Sequence, residues 1–214
     1  MSEKIKIDIV SDVVCPWCIV GYKRLEAAIN ELNLQDKVEI EWQPFELNSD
    51  MPKEGENLRD HVLRKYGAGR VDSDKARESI RAHGEEYNFI FDYFEEMKIV
   101  NTRDAHLLLD LARECGIQHN LKLRLFTAFF TEQKDVSDRK VLLEEAVSVG
   151  LDLEMAKAAL ESKERLSALT EHENEWQKRG VTGVPTMVFN QESGLTGAHP
   201  KETYIKVLKN LMSK

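Results

Sequence analysis

Two cysteines three positions apart, in Cys15-Pro16-Trp17-Cys18, are the residues of this 214-residue chain best suited to covalent chemistry. They follow a short alternating segment and open an amphipathic one, so the pair falls where a strand gives way to a helix. A thiol at a helix N-terminus sits among unpaired backbone N–H groups, at the positive end of the helix dipole. That setting favours the thiolate, which is the nucleophilic form. Cys15 is therefore the expected nucleophile. Cys18, one turn further and on the core-facing side, is placed to attack a mixed disulfide at Cys15 and release the bound partner. Two other uses of such a pair fit less well. A structural zinc takes about four ligands, and no second Cys-x-x-Cys or His-x-x-x-His accompanies this one, so no metal is expected. A structural disulfide between 15 and 18 closes a very short loop and contributes little.

The second motif is Gly183-Val184-Pro185-Thr186, immediately before the apolar run Met187-Val188-Phe189. Proline suits the first residue of a strand, and an ordinary trans bond explains it there. A cis X–Pro bond belongs to tight turns. Here it would turn the Val184 backbone outward, free to pair with an extended peptide. The cysteine pair gives that second reading its weight.

The elements that must position these motifs can be read from periodicity. Residues 4–10 alternate, with Ile5, Ile7 and Ile9 expected on the core and Lys4, Lys6 and Asp8 on the other face. From Pro16 the period lengthens, with Cys18, Tyr22, Leu25, Ile29 and Leu32 on one helical stripe. Val38, Ile40 and Trp42 then alternate again, which makes the opening β-α-β and its two strands parallel. After the loop 44–55, segments 58–66, 73–87, 102–115, 120–131, 139–149 and 153–179 read as helices. Ser73, Thr102, Asp138 and Asp152 are their expected N-caps. Strand 186–189, a turn and a short partner at 195–197 follow, and Pro200 opens a last helix. The class is α/β, with a helical block set inside it.

Composition narrows the function. With 30 basic and 38 acidic residues the chain carries a formal charge of −8. That disfavours nucleic acid and an anionic membrane surface as partners. No stretch reaches the roughly 18 apolar residues of a spanning helix. Met1-Ser2-Glu3-Lys4 runs directly into the first strand without an apolar leader, so a cytoplasmic location is expected. Three cysteines, Cys15, Cys18 and Cys115, are too few and too odd in number for a disulfide framework.

Taken together, the Cys-Pro-Trp-Cys pair, the β-α-β opening, the helical block and Gly-Val-Pro-Thr before a hairpin and final helix resemble the DsbA branch of the thioredoxin superfamily. Asp12 to Cys18, in the pattern Asp-x-x-Cys-Pro-Trp-Cys, is similar to its cytoplasmic FrnE-like subgroup. Pro44, Phe45, Leu47, Asn48, Asn101-Thr102 and Gly197-Ala198 match that subgroup too. The resemblance spans essentially the whole chain. It implies a thioredoxin-like fold with a large all-helical insertion: a discontinuous domain at 1–48 and 180–214, and an inserted helical domain at 49–179. It implies a thiol-disulfide oxidoreductase acting on protein or peptide thiols or disulfides, as a monomer or homodimer and without a resident cofactor. Cys15 is then the nucleophile and Cys18 the resolving thiol. Pro185 is the cis-proline facing the disulfide, Val184 offers backbone to substrate, and Pro16 and Trp17 complete the substrate face. Pro-Trp stands here in place of Pro-His, so no imidazole lies inside the motif, and the direction of exchange stays open between oxidant, isomerase and reductase.

The same resemblance supplies an alternative. Kappa-class glutathione transferases and 2-hydroxychromene-2-carboxylate isomerases share the fold, use glutathione as co-substrate and generally carry serine where Cys15 stands. Their loop corresponding to Gly197-Ala198-His199 helps hold glutathione, whereas the residues alone read His199 and Pro200 as the start of a helix. A third reading is a binding module that uses the groove without redox turnover. Of the remaining residues, Cys115 shares a helix face with Leu108, Leu111 and Ala112 and is expected to be buried and inert. His61, His83, His106, His119 and His172 show no ligand spacing. Asp12 is expected to hydrogen-bond its loop rather than relay a proton to Cys18. Trp17 reads equally as substrate-facing or as cover for Cys18, and the aromatic run from Phe89 to Phe94 reads as core.

Overall fold

A computed structural model describes residues 4–213. Met1 to Glu3, which carry the reading of the N-terminus, and Lys214 lie outside the described residues. Strand β1 (Ile5–Ser11) is followed by helix α1 (Pro16–Glu31) and strand β2 (Val38–Pro44). The two strands are parallel, with Ile5 opposite Val38 and Ser11 opposite Pro44. After the helical block come β5 (Thr186–Phe189) and β6 (Ser193–Thr196), joined by a turn in which Asn190 and Gln191 take positive φ. Asparagine tolerates that conformation better than most residues. β5 runs antiparallel to β1 and β6 antiparallel to β5, giving the sheet order β2-β1-β5-β6. Helix α9 (Lys201–Met212) closes the chain and buries Tyr204 and Leu208. Pro200 caps it rather than standing inside it.

Between β2 and β5 lie β3 (Glu56–Asn57), α2 (Leu58–Tyr66), α3 (Arg70–Glu85), β4 (Lys98–Ile99), α4 (Arg103–Glu114), α5 (Gln118–Phe130), α6 (Arg139–Ser148), α7 (Leu153–Glu161) and α8 (Lys163–Lys178). The block is helical as expected, with one addition. β3 and β4 form a two-stranded antiparallel ladder whose strands are two residues long, too short to show an alternating pattern. Asp138 and Asp152 cap as expected, accepting from the N–H groups of Lys140 and Met155 at 2.8 and 2.9 Å.

Several local expectations are corrected. The helix expected at 73–87 begins at Arg70 behind Gly69, and Ser73 is a buried interior residue. Asn101, not Thr102, supplies the side-chain cap of α4, by accepting from Arg103 N at 3.0 Å. The stretch 153–179 is two helices. Ser162 is extended there and its hydroxyl accepts from Arg165 N at 3.2 Å, so one residue ends α7 and caps α8. Cys115 is exposed: its spacing from Leu111 is right, but α4 ends at Glu114 and leaves the thiol beyond the packed stripe.

β1 is buried on both faces, which also departs from expectation. Ile7 and Ile9 enter the main core with Leu25, Phe126 and Tyr204, while Val10 packs with Trp176 of α8 and Val181 on the other side. Asp8 is consequently buried too, and accepts a hydrogen bond from Gln43 Nε2 at 2.6 Å. Each large apolar side chain so buried is worth about 1.5–3 kcal/mol. The inserted block is stitched to the sheet edge at Trp42. There the Gln118 side chain accepts from Trp42 N at 2.9 Å and donates to Trp42 O at 2.8 Å, completing strand-like pairing for β2. Among the described residues no helix is long and apolar enough to cross a membrane.

Candidate active site

The site forms where β1 ends and α1 begins. Cys15 is the N-cap of α1, with extended backbone, and Pro16 follows at the first helical position, where a missing N–H costs nothing. The turn is tied by Cys15 N donating to Asp12 O at 3.3 Å and Cys18 N donating to Cys15 O at 3.1 Å. Both cysteines are free thiols. Cys15 is 4% exposed, Cys18 is fully buried, and Trp17 between them is 38% exposed. Burial, then the hydrogen bond and charge of Cys15, push the Cys18 thiol well above its ordinary range. The Trp17 ring, partly exposed, leans on His83 of α3 with centroids 5.6 Å apart at the rim of the site.

The facing wall comes from the far end of the chain. The Val184–Pro185 bond is cis, and the Val184 carbonyl lies 3.9 Å from Cys15 Sγ. Three contacts hold this loop. Thr186 Oγ1 donates to Gly183 O at 2.7 Å, Gly197 N donates to Pro185 O at 2.8 Å, and Arg24 of α1 donates to Ala198 O at 2.8 Å. Gly21 makes the close approach possible. A Cβ there would stand 3.3 Å from Pro185 Cγ and 3.4 Å from Ala198 Cα. Cys15, Pro16, Trp17, Val184 and Pro185 are thus gathered on one face, with Cys18 directly behind. His199 sits apart, its ring bonded to Thr196 O at 3.0 Å.

Behind the cysteines is a buried polar layer that sequence reasoning largely missed. Asp12 accepts from Val13 N and Leu47 N, each at 2.7 Å, and contacts His106 Nε2 of α4 at 3.2 Å. Burial acts to raise the Asp12 carboxyl, but the His106 contact, the Leu47 N–H and Lys122 outweigh it and hold the group below its ordinary range. The Leu47-Asn48 segment is clamped in turn by Lys65 Nζ, 3.2 Å from Leu47 O and 2.7 Å from Asn48 Oδ1. Lys122 of α5 is completely buried, and its Nζ donates to Ser11 O at 3.3 Å. Burial pulls its pKa down to about 8 against the opposing charges of Asp12 and the cysteines. The signal for Lys122 lies in its position: it shares the buried side of α5 with Leu121, Leu125, Phe126 and Phe129. His106 stands similarly among Ala105, Leu107 and Leu109.

Comparison with known proteins agrees with this fold. The family model described as DSBA-like thioredoxin domain matches residues 6–209. The Bacillus subtilis protein YwbO is 26% identical over 211 residues, covering 98% of each chain. The crystal structure of a probable DsbA oxidoreductase, SCO1869 from Streptomyces coelicolor, superposes with a TM-score of 0.92 at 28% identity, covering 98% of this chain and 91% of its own. The cytosolic disulfide reductase DsbM from Pseudomonas aeruginosa, solved with GSH, shares the fold with a TM-score of 0.65 at 16% identity, covering 98% and 100%.

Proposed function

Because the chain belongs to the DSBA-like thioredoxin domain family, we propose that it is a thiol-disulfide oxidoreductase working through Cys15 and Cys18. The observation that carries this reading is the juxtaposition of Cys15 at the α1 N-cap, Cys18 one turn behind it and the Val184 carbonyl 3.9 Å from Cys15 Sγ. In the reductive direction the Cys15 thiolate attacks one sulfur of a substrate disulfide and expels the other as a thiolate. Cys18 then attacks Cys15 Sγ, the bond to substrate breaks, and the protein is left with a 15–18 disulfide while the substrate is reduced. Reversal of the same steps oxidises a dithiol. The open backbone beside Pro185 would pair with an extended substrate segment, with Pro16 and Trp17 forming the apolar rim.

The substrates in this reading are protein or peptide thiols in the cytoplasm, in keeping with the subgroup resemblance. Glutathione is proposed as a thiol partner, supported by the GSH complex of DsbM. The presence of both cysteines favours exchange over a glutathione-dependent isomerisation, which needs no resolving thiol.

The test is direct. Cys15→Ser abolishes insulin reduction and dithiol oxidation, and Cys18→Ser accumulates mixed disulfides at Cys15. Full activity in Cys15→Ser overturns the proposal. A glutathione-buffer titration read by mass then sets direction, with a midpoint near thioredoxin's about −270 mV marking a reductase and one near about −120 mV an oxidant. A stable glutathione adduct on Cys15, with no 15–18 disulfide forming, favours the glutathione-dependent alternative.

A further inference from the structure

Three arginines of the inserted block border one cavity of about 620 Å³, between α2, α3 and the segment leading into β4. They are Arg59 of α2 and Arg77 and Arg81 of α3. Arg81 is engaged by the backbone, donating from Nε to Phe91 O at 3.1 Å and from Nη2 to Tyr93 O at 3.0 Å. Arg59 pairs with Asp74 at 2.7 Å and with Glu95 at 3.1 Å, yet its Nη1 is buried without a partner. Arg77 is only 7% exposed, and its Nη2 is buried without a partner as well. Its guanidinium rests over the Tyr93 ring, 5.4 Å from the centroid, and that of Arg81 lies at the same distance from the same ring. Tyr93 is stacked in turn on the buried Phe91, with centroids 5.9 Å apart, so the platform under Arg77 is anchored in the core.

Burying a cation without a counter-charge is costly, and arginine does not escape that cost by losing its proton. Burial, and then the neighbouring Arg59 charge, both disfavour the charged form of Arg77. The Tyr93 ring compensates in part, but it accepts no strong hydrogen bond. The acidic side chains around the cavity are committed elsewhere or open to water. Asp74 and Glu95 are taken up by Arg59 and Arg70, and Glu78 and Glu85 are exposed. Among the described residues no carboxylate forms an ion pair with Arg77.

We propose that this cavity is a binding site for a small oxyanion, a carboxylate or a phosphate, held by Arg77 and Arg59. A guanidinium presents paired N–H donors in one plane, a fork that matches two oxygens of either group. Both side chains line the cavity, which is the side from which an acceptor for their unpaired nitrogens comes. The volume falls within the roughly 300–1,000 Å³ of small-molecule sites. The anion supplies the counter-charge that the fold withholds from Arg77.

Calorimetric titration of the full chain with sodium phosphate and, separately, with sodium citrate tests the site, each against sodium chloride at equal ionic strength. Saturable binding of one or both beyond the chloride control is expected, and the one that binds tells a phosphate ligand from a carboxylate. Arg77→Met weakens that binding about tenfold or more, the loss expected when a charge-assisted hydrogen bond is removed. Arg77→Lys keeps the charge without the fork and weakens it by less. The proposal is overturned if neither anion binds beyond chloride, or if Arg77→Met binds as tightly as wild type. Should Arg77→Met fail to fold, Arg77→Lys and Arg59→Met take its place, and unchanged affinity in both overturns the proposal.

Discussion

Removing the Asp12 carboxylate tests whether the turn carrying Cys15 is held from behind as the structure describes. In Asp12→Ala three partners, two of them buried and Leu47 half-buried, lose their acceptor at once: Val13 N, Leu47 N and His106 Nε2. A buried donor left unpaired costs about 1–3 kcal/mol. Allowing for partial relaxation, the whole change is about 3–6 kcal/mol, a large share of the roughly 5–15 kcal/mol that keeps a domain folded. Asp12→Asn keeps one oxygen and sets an amide N–H against a donor, so it costs less, about 2–3 kcal/mol. Urea unfolding followed by fluorescence of the buried Trp42 and Trp176 measures both variants. The carboxyl is held below its ordinary value of 3.8 in the fold. Its contribution is therefore fully present above that value and is lost as the pH falls through the lower folded one. The gap between wild type and Asp12→Ala should accordingly narrow in strong acid. A loss below about 1 kcal/mol for Asp12→Ala, or a gap that does not change with pH, would refute this account of the turn.

Two other perturbations follow from particular contacts. At Gly84 an added Cβ would lie 2.5 Å from Phe89 O and 2.6 Å from Phe91 Cδ2, so Gly84→Ala should lower stability by about 1–3 kcal/mol despite alanine's better helix propensity; a raised urea midpoint would refute it. The Glu173 carboxyl is pushed up to about 7, first by burial and then by Glu46, and its Oε1 has no partner. Folding thus favours the protonated form, and stability drops as the pH rises from its ordinary 4.5 through about 7. Glu173→Gln should remove that slope and gain about 1–2 kcal/mol near pH 8, after discounting for partial solvent screening; parallel curves for the two proteins between about pH 5 and pH 8 would contradict it.

The parts of this molecule legible in its sequence are those specified by local periodicity or by one residue's fixed chemistry. The alternation around Ile7 and the stripe through Leu25 placed β1 and α1, and the cysteine pair at their junction followed from that. Pro185 before Met187 marked the opposing turn. What escaped was set by partners remote in sequence. Asp8 belongs to an apparently open face because nothing near it announces that Trp176 will cover that side of β1. Lys122 reads as an anomaly on α5 until Ser11 O is known to lie opposite it. Ser162 looks like one more polar interruption in a helix, and only its extended backbone shows that the chain turns there. Cys115 has the spacing of a core residue, but spacing says nothing about where a helix stops. The β3–β4 ladder is below the length at which any pattern is visible.

The distance along the chain between Cys15 and Val184 also has a temporal meaning. β1 is an inner strand whose second neighbour, β5, is made some 170 residues after the cysteines, which at about 5–20 residues per second is roughly 10–30 s later. During that interval the nascent chain carries the cysteine pair with one flank of β1 unpaired and no opposing wall to align a substrate. The face on which Cys15 meets Val184 is therefore a late product of synthesis. A chain that stalls or is cleaved before β5 holds both thiols without the cis-proline wall beside them, so the exchange proposed for this site would await assembly of the sheet.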